Sequence, residues 1–305
     1  MSSACTTTCS LTSGISNKPF GSSTGRLSFA RPQLVFARKN AYFRAMEFQR
    51  ILYEVRDRIG FITLNRPDKR NALDDLMVKE LATAFTSASK DQDVKVIILS
   101  GAGSSFCAGA DLEYLDRVSK FDLEENRKDS TQLSHLFRLI YELRKPIIAS
   151  VNGPALAGGC GLATVCDFVI ASEEQAKFGY TEVRIGFIPA IVMIFLIKRI
   201  GEGKARELVL RGNILSAHEA KEAGLVSMVV PQARLQETVD GLANELIANN
   251  SLTSMGLCKE MLSKLHGMNL PDALDFASNM NAAARMTTDC KKGIAAFLNK
   301  ERTQW

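Results

Sequence analysis

The chain has 305 residues, 46% apolar and 23% charged, with a formal net charge of +5. Such numbers suit a globular protein of one large domain or two small ones, and so slight a positive excess does not point to nucleic acid. Seven cysteines, an odd number with no C-x-x-C pair, argue against a disulfide framework and against a zinc site.

Residues 1–45 differ from everything after them. They carry Lys18, Arg26, Arg31, Arg38, Lys39 and Arg44, many serines and threonines, and no Asp or Glu. A basic, hydroxylated, acid-poor start without a secretory apolar core predicts an organellar transit peptide; the alternative is a disordered tail. The main body then begins at Met46-Glu47.

From there Ile51, Tyr53 and Val55 alternate, followed by Ile59 to Leu64, which predicts a hairpin bent at Asp57-Arg58. A polar loop, NRPDKRNAL (65–73), precedes a helix from about Asp74 to Ser89 with Leu76, Leu81, Ala84 and Phe85 on its apolar face. A strand at 94–99, a Gly/Ser loop, a helix around 131–143 and strands at 147–151 and 167–171 repeat the rhythm. Such recurrence argues for α/β architecture. The run Ile185 to Ile197 is apolar, but only about half of a membrane span and broken by Pro189, so it predicts a buried helix. Ser216 and Glu219 form a capping box for a helix ending at Gly224. A strand at 225–230 and three or four amphipathic helices over 232–300 complete the chain. Cys107, Cys160 and Cys166 read as buried small apolar residues.

Chemistry concentrates in KPIIASVNGPALAGGCGLATVCDFVIASEEQAKFGYTEVRIG (145–186). A buried strand ends at Asn152-Gly153-Pro154, Gly158 and Gly159 follow, and a short helix starts. Its first N–H groups have no partner in the helix, and glycines without Cβ let another molecule approach them. Such a terminus stabilises negative charge, whether a phosphate or a developing oxyanion. Glu182 then supplies one carboxylate in an apolar, glycine-punctuated segment. Together they suggest proton transfer beside a carbonyl.

Five pieces, NRPDKRNAL (65–73), SFCAGADL (105–112), KPIIASVNGPALAGGCGLA (145–163), FGYTEVRIGFIP (178–189) and AKEAGLVSMVVP (220–231), resemble the crotonase superfamily of enoyl-CoA hydratases and isomerases. The resemblance spans roughly 46–305. It implies a crotonase spiral of β-β-α units over 46–230 with an α-helical C-terminal region, 231–305, that packs against neighbouring subunits in a homotrimer or dimer of trimers. It implies an acyl-CoA substrate and no separate cofactor or metal, coenzyme A being part of the substrate. Two backbone N–H donors for the thioester oxygen fall at Ala110 and Gly158. Coenzyme A recognition falls on Lys69, Arg70, Ala72, Leu73, Ala108 and Asp111, with Phe297 and Lys300 reaching a neighbour's coenzyme A.

The sequence departs from that pattern twice. Typical hydratases hold a water between two glutamates; Glu182 matches the second, and Gly161 stands where the first would be. Relatives carry a glycine-rich P-G-x-G-G-T run where this chain has Pro189 followed by Ala190-Ile191-Val192-Met193-Ile194. One carboxylate suits a 1,3-proton shuttle, the chemistry of Δ3-Δ2-enoyl-CoA isomerases, while the overall motif set resembles hydratases of fatty-acid or branched-chain catabolism. A catalytically weak subunit that binds acyl-CoA is the alternative. A relative binds RNA through a lysine-rich helix, but helix 75–90 here sets Lys79 and Lys90 against Asp75 and Glu80, so no nucleic-acid or membrane partner is expected. Catabolic chemistry favours a mitochondrial matrix, and the Ser/Thr content a plastid; mitochondrion is taken first.

Overall fold

The computed structural model describes residues 48–305; the transit segment expected over 1–45 and the start at Met46 lie outside them. The first two strands, β1 (Ile51–Arg56) and β2 (Ile59–Leu64), pair antiparallel, and Asp57 and Arg58 both take positive φ at the bend. Two left-handed residues make a tight hairpin turn whose twist matches that of the strands. Helix α1 (Asp75–Lys90) follows, its first turn closed by Asp74, whose carboxylate accepts from the Met77 N–H.

Strand β3 (Val96–Gly101) begins two residues later than the apolar run suggests. Beyond it come α2 (Leu112–Val118) and α3 (Leu123–Glu142). Helix α3 is longer than the predicted 131–143, because Asp122 and Glu125 form a reciprocal capping box upstream of any apolar stripe. Next are β4 (Ile147–Val151), β5 (Pro154–Leu156) and α4 (Gly158–Val165), then β6 (Phe168–Ser172) and β7 (Lys177–Gly179). Helices α5 (Ala190–Ile200) and α6 (Glu202–Arg211), strand β8 (Ile214–Ser216), helix α7 (Ala217–Glu222) and strand β9 (Met228–Val230) follow. The end is helical: α8 (Leu235–Asn249), α9 (Leu252–Leu265), α10 (Leu270–Met286) and α11 (Thr288–Leu298).

Six strands form one sheet in the order β1-β2-β3-β4-β6-β9, parallel except for β1. A smaller sheet, β5-β7-β8, forms a second layer. Single-residue pairings extend that layer backwards, Cys107 with Ala155 and Ala110 with Leu73. Each turn of the chain thus lays a strand in the large sheet, a short pairing in the small one, then a helix. That is the expected spiral.

Strand periodicity divides the interior in two. Ile97, Leu99, Ile147, Ala149 and Val169 face α1, α3 and α4 through Leu81, Phe85, Phe137 and Leu162. Val96, Ile98, Ile148 and Ile170 face the other way, onto Val239, Ala243 and Leu246 of α8. The first helix beyond residue 231 therefore completes the core beneath the sheet. By contrast α10 and α11 bury no residue fully.

One expectation fails here. The 185–197 run is not a buried helix: Ile185, Phe187 and Ile188 are exposed ahead of α5, and within it Ile194 and Ile197 are exposed while Val192 and Leu196 face inward. Gly186, at positive φ, ends a short 3-10 turn (Glu182–Ile185), and Pro189 starts the helix afresh.

Truncating Ile98, sealed between sheet and α8, should leave a cavity that neither layer can close. Ile98→Ala should cost about 2–5 kcal/mol in a denaturant titration, with an unchanged m-value.

Candidate active site

The small sheet positions two backbone donors. Leu73 donates to the Gly109 carbonyl at 2.7 Å, and Asp111 donates to the Leu73 carbonyl at 2.9 Å. This pairing uses the groups on either side of Ala110 and directs the Ala110 N–H to the opposite side. Gly158 is the first residue of α4, and the first turn closes with Gly161 donating to the Ala157 carbonyl. The Gly158 N–H thus has no acceptor within its helix. Leu73 links the two: it brackets Ala110, and its Cδ1 lies 3.3 Å from where a Cβ on Gly158 would sit.

Close backbone contact holds these segments together. A Cβ on Gly159 would lie 2.1 Å from the Cys107 carbonyl oxygen. Leu156 donates to that same oxygen at 2.9 Å, and Cys107 donates to the Pro154 carbonyl at 3.0 Å. Between β5 and α4, Ala157 takes φ +49° and ψ −124°, a strained geometry for a residue with a Cβ, and its N–H donates to the Gly179 carbonyl at 2.7 Å. The strain turns the chain sharply enough to aim the start of α4 at the 107–110 strip.

A buried polar network, which the sequence did not reveal, braces that strip. Asn71 is fully buried at positive φ; its Oδ1 accepts from Arg66 N–H, and its Nδ2 donates to the carbonyls of Ala102 and Ser105. The Arg66 guanidinium spans Asp111 at 2.9 Å and Asp74 at 3.2 Å and donates to the Ala72 carbonyl. Asp111, expected to meet substrate, has both oxygens engaged inside the protein: Oδ2 takes Arg66, and Oδ1 caps α2 through the Glu113 and Tyr114 N–H groups. The available signal was the N-R-x-x-x-x-N spacing within 65–71.

Glu182 is buried, in the first turn after β7. Burial raises its carboxyl pKa above the ordinary glutamate value, against a smaller lowering from its own N–H. Its Oε2 is buried with no hydrogen-bond partner in the protein. Nearby, Phe178 is buried, but Phe187 is largely exposed; Phe187 touches this turn through its N–H, which donates to the Glu182 carbonyl. Behind Glu182, Tyr180 is fully buried and shares a 2.8 Å hydrogen bond with Thr164, whose hydroxyl also donates to the Cys160 carbonyl. Burial drives the Cys160 thiol up to about 12, so it is no nucleophile. Arg199 closes the far end of α4 by donating to the Thr164 and Cys166 carbonyls.

The remaining sequence candidates separate into two groups. Lys69, Arg70, Ala72, Leu73 and Ala108 lie on one strip, with Ala108 N–H donating to the Arg70 carbonyl at 3.0 Å. Lys69 is exposed and pairs with Glu113 at 2.7 Å, which raises its pKa. Phe297, 82% exposed, and Lys300 lie at the end of α11, which packs on α9 and α10. Gly161 faces Val192 and Phe137 within the interior. Among the described residues no group of three His, Cys, Asp or Glu is placed to hold a metal, and no helix is long and apolar enough to cross a membrane.

Comparison with known proteins gives a family model, enoyl-CoA hydratase/isomerase, matching residues 54–305. A Thermus thermophilus relative bearing a provisional enoyl-CoA hydratase name is 43% identical over 79% of this chain and 95% of its own. The mitochondrial enoyl-CoA hydratase of Pongo abelii is 36% identical over 85% of this chain and 88% of its own. The crystal structure of enoyl-CoA hydratase from Bacillus anthracis superimposes with a TM-score of 0.77 at 32% identity, covering 84% of this chain and 99% of that one.

Gly159→Ala forces a methyl into a carbonyl and should abolish both stable folding and turnover. Gly241→Ala, in open space within α8, should add about 0.5–1 kcal/mol in thermal unfolding. For Glu182 the folded pKa lies above the unfolded one. Its ionisation therefore weakens the fold as pH rises from the unfolded pKa through the folded one. Glu182→Gln should match the wild type in stability below about pH 4 and exceed it at pH 7–8 in denaturant titrations across that range.

Proposed function

The chain belongs to the enoyl-CoA hydratase/isomerase family, and from that premise we propose that it handles protons on an enoyl-CoA thioester with Glu182 as its only acid/base. The N–H groups of Ala110 and Gly158 receive the thioester oxygen as charge builds on it. Glu182 removes a proton from C2 of a 3-enoyl-CoA, leaving a dienolate held by the two donors. The same carboxyl returns that proton to C4, giving the 2-enoyl product. No atom is gained or lost.

The observation that carries this reading is the buried, unpartnered Oε2 of a carboxyl whose pKa is raised. A base with a pKa above its solution value, a free lone pair and no competing donor accepts a proton readily and can surrender it again. A second reading, water addition to a 2-enoyl-CoA with Glu182 as the sole base, draws support from the hydratase names of the Thermus and Pongo relatives.

Coenzyme A fits the strip of Lys69, Arg70, Ala72, Leu73 and Ala108. Asp111 and Arg66 act there as positioning residues, holding the backbone of Ala110 in place. Self-association as a homotrimer or a dimer of trimers is supported by the exposed Leu262, Leu270, Leu274, Ile294, Phe297 and Leu298 of α9–α11. In that assembly Phe297 and Lys300 would reach a neighbour's coenzyme A. The acid-free, basic composition of residues 1–45 and the mitochondrial name of the Pongo relative support a mitochondrial matrix address.

The test is turnover of the full chain with a trans-3-enoyl-CoA and a trans-2-enoyl-CoA. Conversion of the 3-enoyl substrate, reduced about 10²–10⁴-fold by Glu182→Gln, is the expected result. Water addition to the 2-enoyl substrate without isomerisation would favour the second reading instead.

A further inference from the structure

The absence of a side chain at Gly161 does not leave a hole. A Cβ there would lie 2.2 Å from Val192 Cγ1, 2.6 Å from Val192 Cβ and 3.2 Å from Phe137 Cε1. Carbon atoms in contact normally sit about 3.5–4.0 Å apart. Valine is stiff at χ1, and its Cβ is fixed by the backbone, so no rotamer of Val192 relieves the 2.6 Å contact. The backbone cannot give way either. Helix α4 is pinned by Gly159 against the Cys107 carbonyl, and α5 is tied to the end of α4 by the hydrogen bonds from Arg199.

Position 161 is one helical turn beyond Gly158, on a neighbouring stripe of α4, and the adjacent Cys160 already feels the charge of Glu182. A carboxylate at 161 would therefore enter the same space as the oxyanion donor and Glu182. Val192, buried and facing inward from α5, now fills the room a side chain at 161 would need. The two departures from the family pattern, glycine at 161 and a bulky residue at 192, are two halves of one packing contact.

We propose that Val192 is the specificity-determining residue that holds this site to a single carboxylate, closing position 161 to any side chain and keeping a second proton-handling group out. The steric half stands on the contact alone. The catalytic half rests on the reading of Glu182 as the acid/base.

A double-mutant cycle separates them. Gly161→Ala should lower the thermal midpoint of the full chain; Val192→Gly should lower it by opening a cavity; the Gly161→Ala/Val192→Gly pair should be more stable than the sum of the two losses. Independent, additive losses, or a Gly161→Ala protein as stable as the wild type, would overturn the lock. Gly161→Glu/Val192→Gly should then add water to a 2-enoyl-CoA on the order of 10²-fold faster than wild type, and Gly161→Gln/Val192→Gly should not. Coupled stabilities with no gain in hydration would overturn the specificity role of Val192. Undiminished wild-type turnover in Glu182→Gln would instead overturn the assignment of Glu182 and leave the stability coupling standing.

Discussion

The contact on which this protein depends is the approach of Gly159 to the carbonyl of Cys107. Only a glycine allows it, since a Cβ would sit 2.1 Å from that oxygen. Two backbone segments from successive turns of the spiral are thereby locked, and with them the N–H groups of Ala110 and Gly158. Backbone donors held this way need no rearrangement when charge develops opposite them, which is the source of their strength in a water-poor site. The strain at Ala157 and the buried Arg66–Asn71–Asp111 network serve the same geometry from two sides.

Glu182 makes a second, opposite arrangement. Where the donors are braced by saturated hydrogen bonding, this carboxyl is left with an oxygen that nothing in the protein satisfies. An unpaired buried acceptor is costly in folding free energy. Next along the chain, Tyr180, Thr164 and the Cys160 carbonyl form a satisfied series of hydrogen bonds. A group that weakens the fold when ionised and gains from taking up a proton is suited to exchanging one with a substrate.

Much of this was readable in the sequence because its signals are local. The β-branched runs gave β4 and β6, Asp74 and Ser216 marked helix starts, and the order of five motifs placed Ala110, Gly158 and Glu182 on one spiral. What escaped was long-range or unsupported by periodicity. Helix α2 and the polar half of α3 show no apolar stripe, so only their caps define them. Ile185, Phe187 and Ile188 read as core by composition, yet the turn ending at Gly186 brings them to the surface. The contact of Gly161 with Val192 joins residues thirty-one apart; composition shows two oddities, and only packing shows that they are one.

The proposed reaction depends on a single carboxyl carrying a proton from one carbon to another. The most direct measurement follows deuterium at C2 of a trans-3-enoyl-CoA through turnover in ordinary water. Part of the label should appear at C4 of the 2-enoyl product, because one buried group both takes and returns it. Complete loss of the label to solvent, with none at C4 even in a single turnover, would contradict a one-carboxyl proton shuttle.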